Sequence, residues 1–240
     1  MTIELTLTDT VPDDVTVVGV PVFAGLRGPN AVTGLNAPAA DVDTGYLERR
    51  GFEAKVGETM VVPSTDGVTV VAVGLGPPEK VDAEALRKAA ACVVRAAWKD
   101  ARVATTILAA MPDGLGAGEA AQAVAEGARL AGYRFTRYKS DPKACRIESL
   151  AVVGTGDGAR LGLERGARLA AAVAMARDLV NEPAGTLTPQ RLADVAAEMA
   201  EREGLALTVL DENAIVAERL GGLLGVAAGS DQPPRLIELV

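Results

Sequence analysis

The groups in this sequence best suited to hold a divalent cation, or to act as general acids and bases, are the acidic clusters Asp13-Asp14, Asp41 with Asp43, and Asp211-Glu212. Each falls at an expected turn or helix start. There a carboxylate caps orphan backbone N–H groups or faces water, and none of the clusters supplies the several converging oxygens a divalent ion requires. The sequence contains no histidine. That excludes Ser-His and Cys-His catalysis, histidine-based zinc sites and imidazole proton transfer. No catalytic, cofactor-binding or metal-ligating residue is therefore assigned. The cysteines, Cys92 and Cys145, are far apart in sequence and are expected to be free thiols of a reducing compartment rather than a disulfide.

Two glycine-rich turns have spacings that suit phosphate binding. Gly154-Thr155-Gly156-Asp157-Gly158-Ala159 follows an expected strand and opens a helix, matching the GxGxxA form of a dinucleotide fingerprint. That fingerprint needs a second strand with an acidic residue about 20 positions on. Here the helical pattern runs through Asp178 instead, so the segment is expected to be a tight strand-to-helix turn. Val73-Gly74-Leu75-Gly76-Pro77-Pro78 also follows a strand, and its glycines suit a phosphate or ribose; the paired prolines favour a plain connection. Between Arg129 and Arg146, basic residues alternate with Tyr133, Phe135 and Tyr138, a mixture that suits nucleic acid. The patch is short and the net charge is −8, which favours an interdomain or subunit contact and makes nucleic acid an unexpected partner.

Alternating strands and helices must position these groups. Strands are expected at Val15 to Phe23, Lys55 to Val62, Val68 to Val73, Arg102 to Ala110, Leu150 to Gly154, Leu205 to Leu210 and Arg235 to Val240. Gly28 to Thr44 is expected to be a long surface loop and Tyr46 to Arg50 a short helix. Ser64-Thr65-Asp66-Gly67 is expected to turn one strand back on the next. Asp82 is expected to cap a helix to Trp98 with Leu86, Ala90, Val93, Val94 and Ala97 on one stripe. Further helices are expected at Ala117 to Tyr133 and Ala159 to Val180. Thr188-Pro189 starts another, with Leu192, Val195, Ala196 and Met199 on its apolar side, and Asp211 caps a short one.

Hydrophobic residues are 49%, charged residues 23% and aromatics 3%, a globular mixture whose core rests on Ala, Val and Leu. The first residues, MTIELTLTDT, lack the regions of a secretory signal, and no apolar run reaches a membrane span. A cytoplasmic protein is expected.

The polar segment around KSDPKACR suggests a division into residues 1–146 and 147–240. The second part offers only two strands, and its last ends in an apolar run, so it is expected to be incomplete. If Leu236, Ile237 and Leu239 lack neighbours, each forfeits roughly 1.5–3 kcal/mol of burial. Together these losses rival a domain's net stability of about 5–15 kcal/mol. The first part is expected to fold alone, and the second to fray or need a partner.

Several stretches, in order, resemble the leucyl aminopeptidase family: VAVGLGPPEKVDAEALRKAA near Val71, YRFTRYKS near Tyr133, LVNEPAGTLTP near Leu179, and LDENAIVAERLGGLLGVAAGSDQPPRLI. Residues 1–70 carry little of the resemblance. It implies a macro-like N-terminal α/β domain, a mixed sheet flanked by helices, followed by the incomplete start of a second α/β domain, the catalytic one. In the family two divalent ions, manganese or zinc, activate a water that attacks the first peptide bond. Their ligands, a lysine and several carboxylates, are expected downstream of PPRLI, so none maps onto this sequence. Peptide substrates and a homohexamer with catalytic domains inside are implied for the parent protein, and this segment alone is expected to be inactive. Within LVNEPAGTLTP, Asn181 and Pro183 are expected to end one helix and Thr188 to start the next. Two other readings remain at this point: a macro-like module binding ADP-ribose or a related nucleotide near Gly74 and Gly76, and an assembly or regulatory segment that joins full-length subunits.

Overall fold

The computed structural model describes residues 3–25, 42–63 and 67–240. Most of the expected loop from Gly28 to Thr44, Asp41 of the acidic pair, and Ser64-Thr65-Asp66 of the expected turn lie outside the described residues.

Two compact units divide the chain, Met1–Ala176 and Arg177–Val240. In the first, the described strands are β1 (Glu4–Thr8), β2 (Val17–Val22), β3 (Thr59–Pro63), β4 (Thr69–Gly74), β5 (Arg102–Thr105) and β6 (Ser149–Val153). They form one sheet in the order β1-β6-β5-β2-β4-β3. Every pairing is parallel except β3 with β4. This is the expected mixed sheet. The helices are α1 (Thr44–Arg49), α2 (Ala83–Ala96), α3 (Ala117–Gly132) and the first five turns of α4 (Asp157–Asn181).

The period-two side-chain alternation of a strand explains how one sheet serves two cores. Val17, Val71, Val73, Val103, Leu150 and Val152 face one side, with α2, α3 and the start of α4. Val18, Val20, Val22, Val70, Ala72, Ala104 and Ala151 face the other, with Leu47 of α1 and Phe52. All of β2 is buried, as befits a central parallel strand.

The helices approach unusually closely because the contact positions are Gly and Ala. A Cβ at Gly127 of α3 would lie 2.0 Å from the backbone oxygen of Arg87 in α2. A Cβ at Gly162 of α4 would lie 2.0 Å from the backbone oxygen of Gly118 in α3. The α2 helix starts as expected: the Asp82 carboxylate accepts the N–H of Ala85 at 2.8 Å. Its stripe Leu86, Ala90, Val93, Val94 and Ala97 is buried.

Two expectations need correction. The strand expected from Arg102 to Ala110 stops at Thr105, and Ile107–Ala110 is a 3-10 helix. The buried Thr105 hydroxyl donates to the Gly19 carbonyl (3.1 Å) and accepts the Ile107 N–H (3.4 Å), which turns the chain out of the ladder. In α5 (Pro189–Glu203) the buried residues are Ala193, Ala196 and Ala200, whereas Leu192 is 40% exposed. β6 is hydrogen-bonded between β1 and β5, and Gly162 and Gly166 of α4 pack on α3, so residues 149–176 pack with the first sheet.

The second unit holds α5, β7 (Leu207–Leu210), α6 (Glu212–Ala217), α7 (Gly221–Ala227) and β8 (Leu236–Leu239). β7 and β8 form a two-stranded sheet, and they pair antiparallel rather than as neighbours in a parallel sheet.

Candidate functional site

Three of the carboxylates singled out above, Asp14, Asp43 and Asp211, are occupied in building the fold. Asp14 pairs with Arg102 at 2.5 Å. Asp43 caps α1, accepting the Tyr46 N–H at 2.9 Å, and also meets Arg49 at 3.3 Å. Asp211 caps α6 through the Ala214 N–H at 2.9 Å, with Glu212 in the first helical turn. Among the described residues no three of His, Cys, Asp and Glu lie together as a metal site would require. The donor set a two-metal centre needs is therefore not built by these residues. Cys92 and Cys145 are both free thiols.

The turn after β4 offers no phosphate cradle. The N–H groups of Gly74, Leu75 and Gly76 donate to the carbonyls of Glu58 (2.8 Å), Val22 (3.0 Å) and Ala54 (2.8 Å). A Cβ at Gly74 would lie 2.2 Å from the Lys55 oxygen, so glycine is needed for the chain's own backbone to pass. The second turn is the tight strand-to-helix connection expected: Gly156 has φ +91 and α4 begins at Asp157. In LVNEPAGTLTP, α4 ends at Asn181, whose side-chain amide donates to the Arg177 carbonyl at 2.7 Å. The Pro183 carbonyl accepts from Thr186 (2.8 Å) and Leu187 (2.9 Å), and Thr188 caps α5 through the Arg191 N–H (3.2 Å). These residues join two helices, as expected of them.

Part of the basic and aromatic segment after α3 packs on the protein itself. The Arg134 guanidinium lies 4.8 Å from the centre of the Trp98 ring, a cation–π distance. Phe135 and Tyr138 are 5.9 Å apart between ring centres. The chain returns under them: Arg146 N–H donates to the Trp98 carbonyl at 2.9 Å, and Cys145 and Ile147 are buried. Arg129 departs from the rest of this group. It lies four residues after buried Ala125 and next to buried Ala128, so its helical position carries it toward the α3–α4 groove. That spacing was the available signal, and grouping Arg129 with the basic patch missed it.

A concavity of about 390 Å³ opens beside the C-terminal end of β2, with Val22, Phe23, Leu47 and Phe52 as its apolar floor and Glu48 and Glu53 on its rim. It sits where open α/β sheets hold ligands, outside the carboxyl ends of parallel strands. Its acidic rim is unsuited to a phosphate.

A six-stranded mixed sheet with helices on both faces, the turn after β4 closed by its own backbone and Asp43 and Asp82 used as caps, defines one α/β domain, and the chain leads on into a second α/β unit. Residues 20–142 match the N-terminal domain of the cytosol aminopeptidase family, and residues 174–240 match that family's catalytic domain. The chain belongs to the cytosol aminopeptidase family. A probable cytosol aminopeptidase of Rhodococcus opacus (strain B4) is 36% identical over 250 residues, covering 98% of this chain and 48% of the relative. One of Nocardia farcinica (strain IFM 10152) is 41% identical over 201 residues, covering 79% and 38%. Among solved structures, the bottromycin maturation enzyme BotP superposes with a TM-score of 0.80 at 35% identity, over 94% of this chain and 46% of that one. A mutant of tomato leucine aminopeptidase shares the fold, with a TM-score of 0.83 at 24% identity, over 99% and 50%. The chain thus spans about half the length of the relatives it matches.

Proposed function

We propose that this chain is the N-terminal domain and the opening of the catalytic domain of a metal-dependent aminopeptidase that releases N-terminal, mostly apolar residues from peptides. The observation that carries this reading is the ordered pair of family matches, 20–142 and then 174–240, on one chain whose fold superposes on BotP over 94% of its length. A BotP structure is described as a complex with Mn, which supports a divalent ion, manganese or zinc, as the cofactor of the whole protein. Such ions would activate water and stabilise the developing oxyanion. Residues of the catalytic domain other than those described here would hold them, because Asp14, Asp43 and Asp211 are committed to caps and an ion pair and no three candidate ligands lie together among the described residues.

In this reading the N-terminal domain, built on residues 1–146 and completed by β6, serves as a scaffold, and α4 is the linker helix to the start of the catalytic domain. The whole protein works in the cytoplasm as a homo-oligomer, a hexamer. No helix among the described residues is long and apolar enough to cross a membrane. The test is hydrolysis of a leucyl anilide with added manganese. The purified 240-residue chain is expected to give no turnover, and a version extended by the remaining catalytic-domain sequence of a relative is expected to give metal-dependent turnover. Manganese-dependent cleavage by the 240-residue chain alone would overturn the assignment of its roles.

A further inference from the structure

A cavity of about 470 Å³ lies between α3, α4 and the edge strand β1, within the first compact unit. Leu5 and Leu163 supply apolar wall, and Arg129, Glu164 and Arg168 supply charge. Ala167 connects the two arginines: Arg129 Nη1 donates to its carbonyl at 3.2 Å, and Arg168 follows it in sequence. Arg129 Nε is buried without a hydrogen-bond partner among the described residues. Burial lowers the Arg129 pKa, and no carboxylate offsets the effect. Arginine nevertheless keeps its charge in proteins, so an uncompensated cation lines the cavity. The cavity's one carboxylate does not neutralise it, because Glu164 is paired with Arg160 at 3.2 Å. Arg168 is exposed and makes no ion pair among the described residues.

Two guanidinium groups that no protein carboxylate among the described residues neutralises fit a planar carboxylate. The apolar wall beside them fits a short hydrocarbon body, and the single carboxylate of the wall fits an ammonium group. We propose that this cavity binds a free apolar α-amino acid, with its carboxylate on Arg129 and Arg168, its side chain against Leu5 and Leu163, and its ammonium toward Glu164. The test reads binding alone, so the proposal stands or falls independently of the peptidase reading.

The test is titration calorimetry on the 240-residue chain with L-leucine, 4-methylpentanoate, L-leucinamide and inorganic phosphate. Leucine is expected to bind saturably at one site, 4-methylpentanoate more weakly, and leucinamide, which lacks the carboxylate, not at all. Arg129→Met and Arg168→Ala should each weaken leucine by roughly tenfold or more. Arg168 is exposed, so R168A keeps the test decisive should R129M fail to fold. Glu164→Gln should weaken leucine but leave 4-methylpentanoate unchanged. No saturable leucine binding below about 10 mM, a dissociation constant too weak for a built site, overturns the proposal. So does leucinamide or 4-methylpentanoate binding as tightly as leucine, or phosphate binding more tightly, which would make this a simple anion hole.

Discussion

Gly127 is the residue on which the helix layer turns. Adding a methyl group there places a carbon 2.0 Å from the Arg87 backbone oxygen, and backbone cannot swing aside as a long side chain can. Gly127→Ala must therefore part α2 from α3, although alanine is the better helix former by roughly 0.8–1.0 kcal/mol. Overpacking costs about 1–3 kcal/mol or more, so a net loss is expected, read as a lower denaturant midpoint. Gly158 in the first turn of α4 is the control. Its nearest neighbour would be 3.9 Å from an added Cβ, so Gly158→Ala should be neutral or slightly stabilising. Equal loss in both variants would show that the penalty comes from something other than the close approach. Beside Gly127, Arg87 Nε donates to Glu126 at 2.8 Å, and Gln122 donates to the other Glu126 oxygen at 2.7 Å. Burial opposes the charge on Arg87, but its bonds to Glu126 and Glu84 outweigh that and raise its pKa. Glu126 has 14% side-chain exposure, so Glu126→Ala leaves a half-buried guanidinium short of its acceptor. A loss of about 1–3 kcal/mol is expected, and a double-mutant cycle with Arg87→Ala should show that much of it depends on the partner.

At the scale of elements, caps were the most legible feature. Asp82, Asp211 and Thr188 were recognisable because a short polar acceptor before an apolar periodic run has a direct role, taking an orphan N–H. Asp82→Ala is expected to cost about 1 kcal/mol in the first unit, with Asp82→Asn restoring most of it. An alanine variant with an unchanged midpoint would show that α2 is held by its buried stripe alone. Elements whose definition depends on distant chain were harder to see. β1 alternates exposed Glu4 and Thr6 with partly buried Leu5 and Leu7, and only its pairing with β6, far away in sequence, makes it a strand. Thr105 ends β5 through a hydroxyl bonded to Gly19, a partner 86 residues away. α7 was missed because its Gly-Gly-Leu-Leu-Gly sequence has poor helical propensity. The Leu192 error has the same origin. Periodicity identified a helix, but small alanines, not the larger leucine, occupy the buried side. For the candidate site, the helix-joining roles of Asn181, Pro183 and Thr188 were legible from residue types, and the groove beside Arg129 required the three-dimensional packing of α3 on α4.

At the scale of the molecule, the two units differ in how they protect their backbone. In the first, β2 is buried along its whole length and hydrogen-bonded to β4 and β5 on either side. Opening it requires taking apart both cores, so its amides should exchange with solvent only through near-global unfolding. In the second, β7 and β8 have only each other within their sheet, extended by the reciprocal bonds of Ala206 and Val240 at 2.9 Å. Val209 is 38% exposed and Leu239 37%, and on the adjoining helices Val216 and Val226 are 55% and 89% exposed. A two-stranded sheet with this much apolar surface in water is marginal by itself. Native-state hydrogen exchange should therefore show the amides of Val18, Val20, Val71 and Ala104 as the slowest. Those of Val209 and Ile237 should exchange faster by about two orders of magnitude or more, corresponding to at least about 2.8 kcal/mol less protection. The sign of the effect should also respond to the solvent. Low denaturant that leaves the first unit untouched should release the second, as a subglobal opening with its own slope. Equal protection of Val18 and Val209, lost together along one denaturant line, would mean that the exposed face of β7 and β8 carries no stability penalty and that the chain unfolds as a single cooperative body.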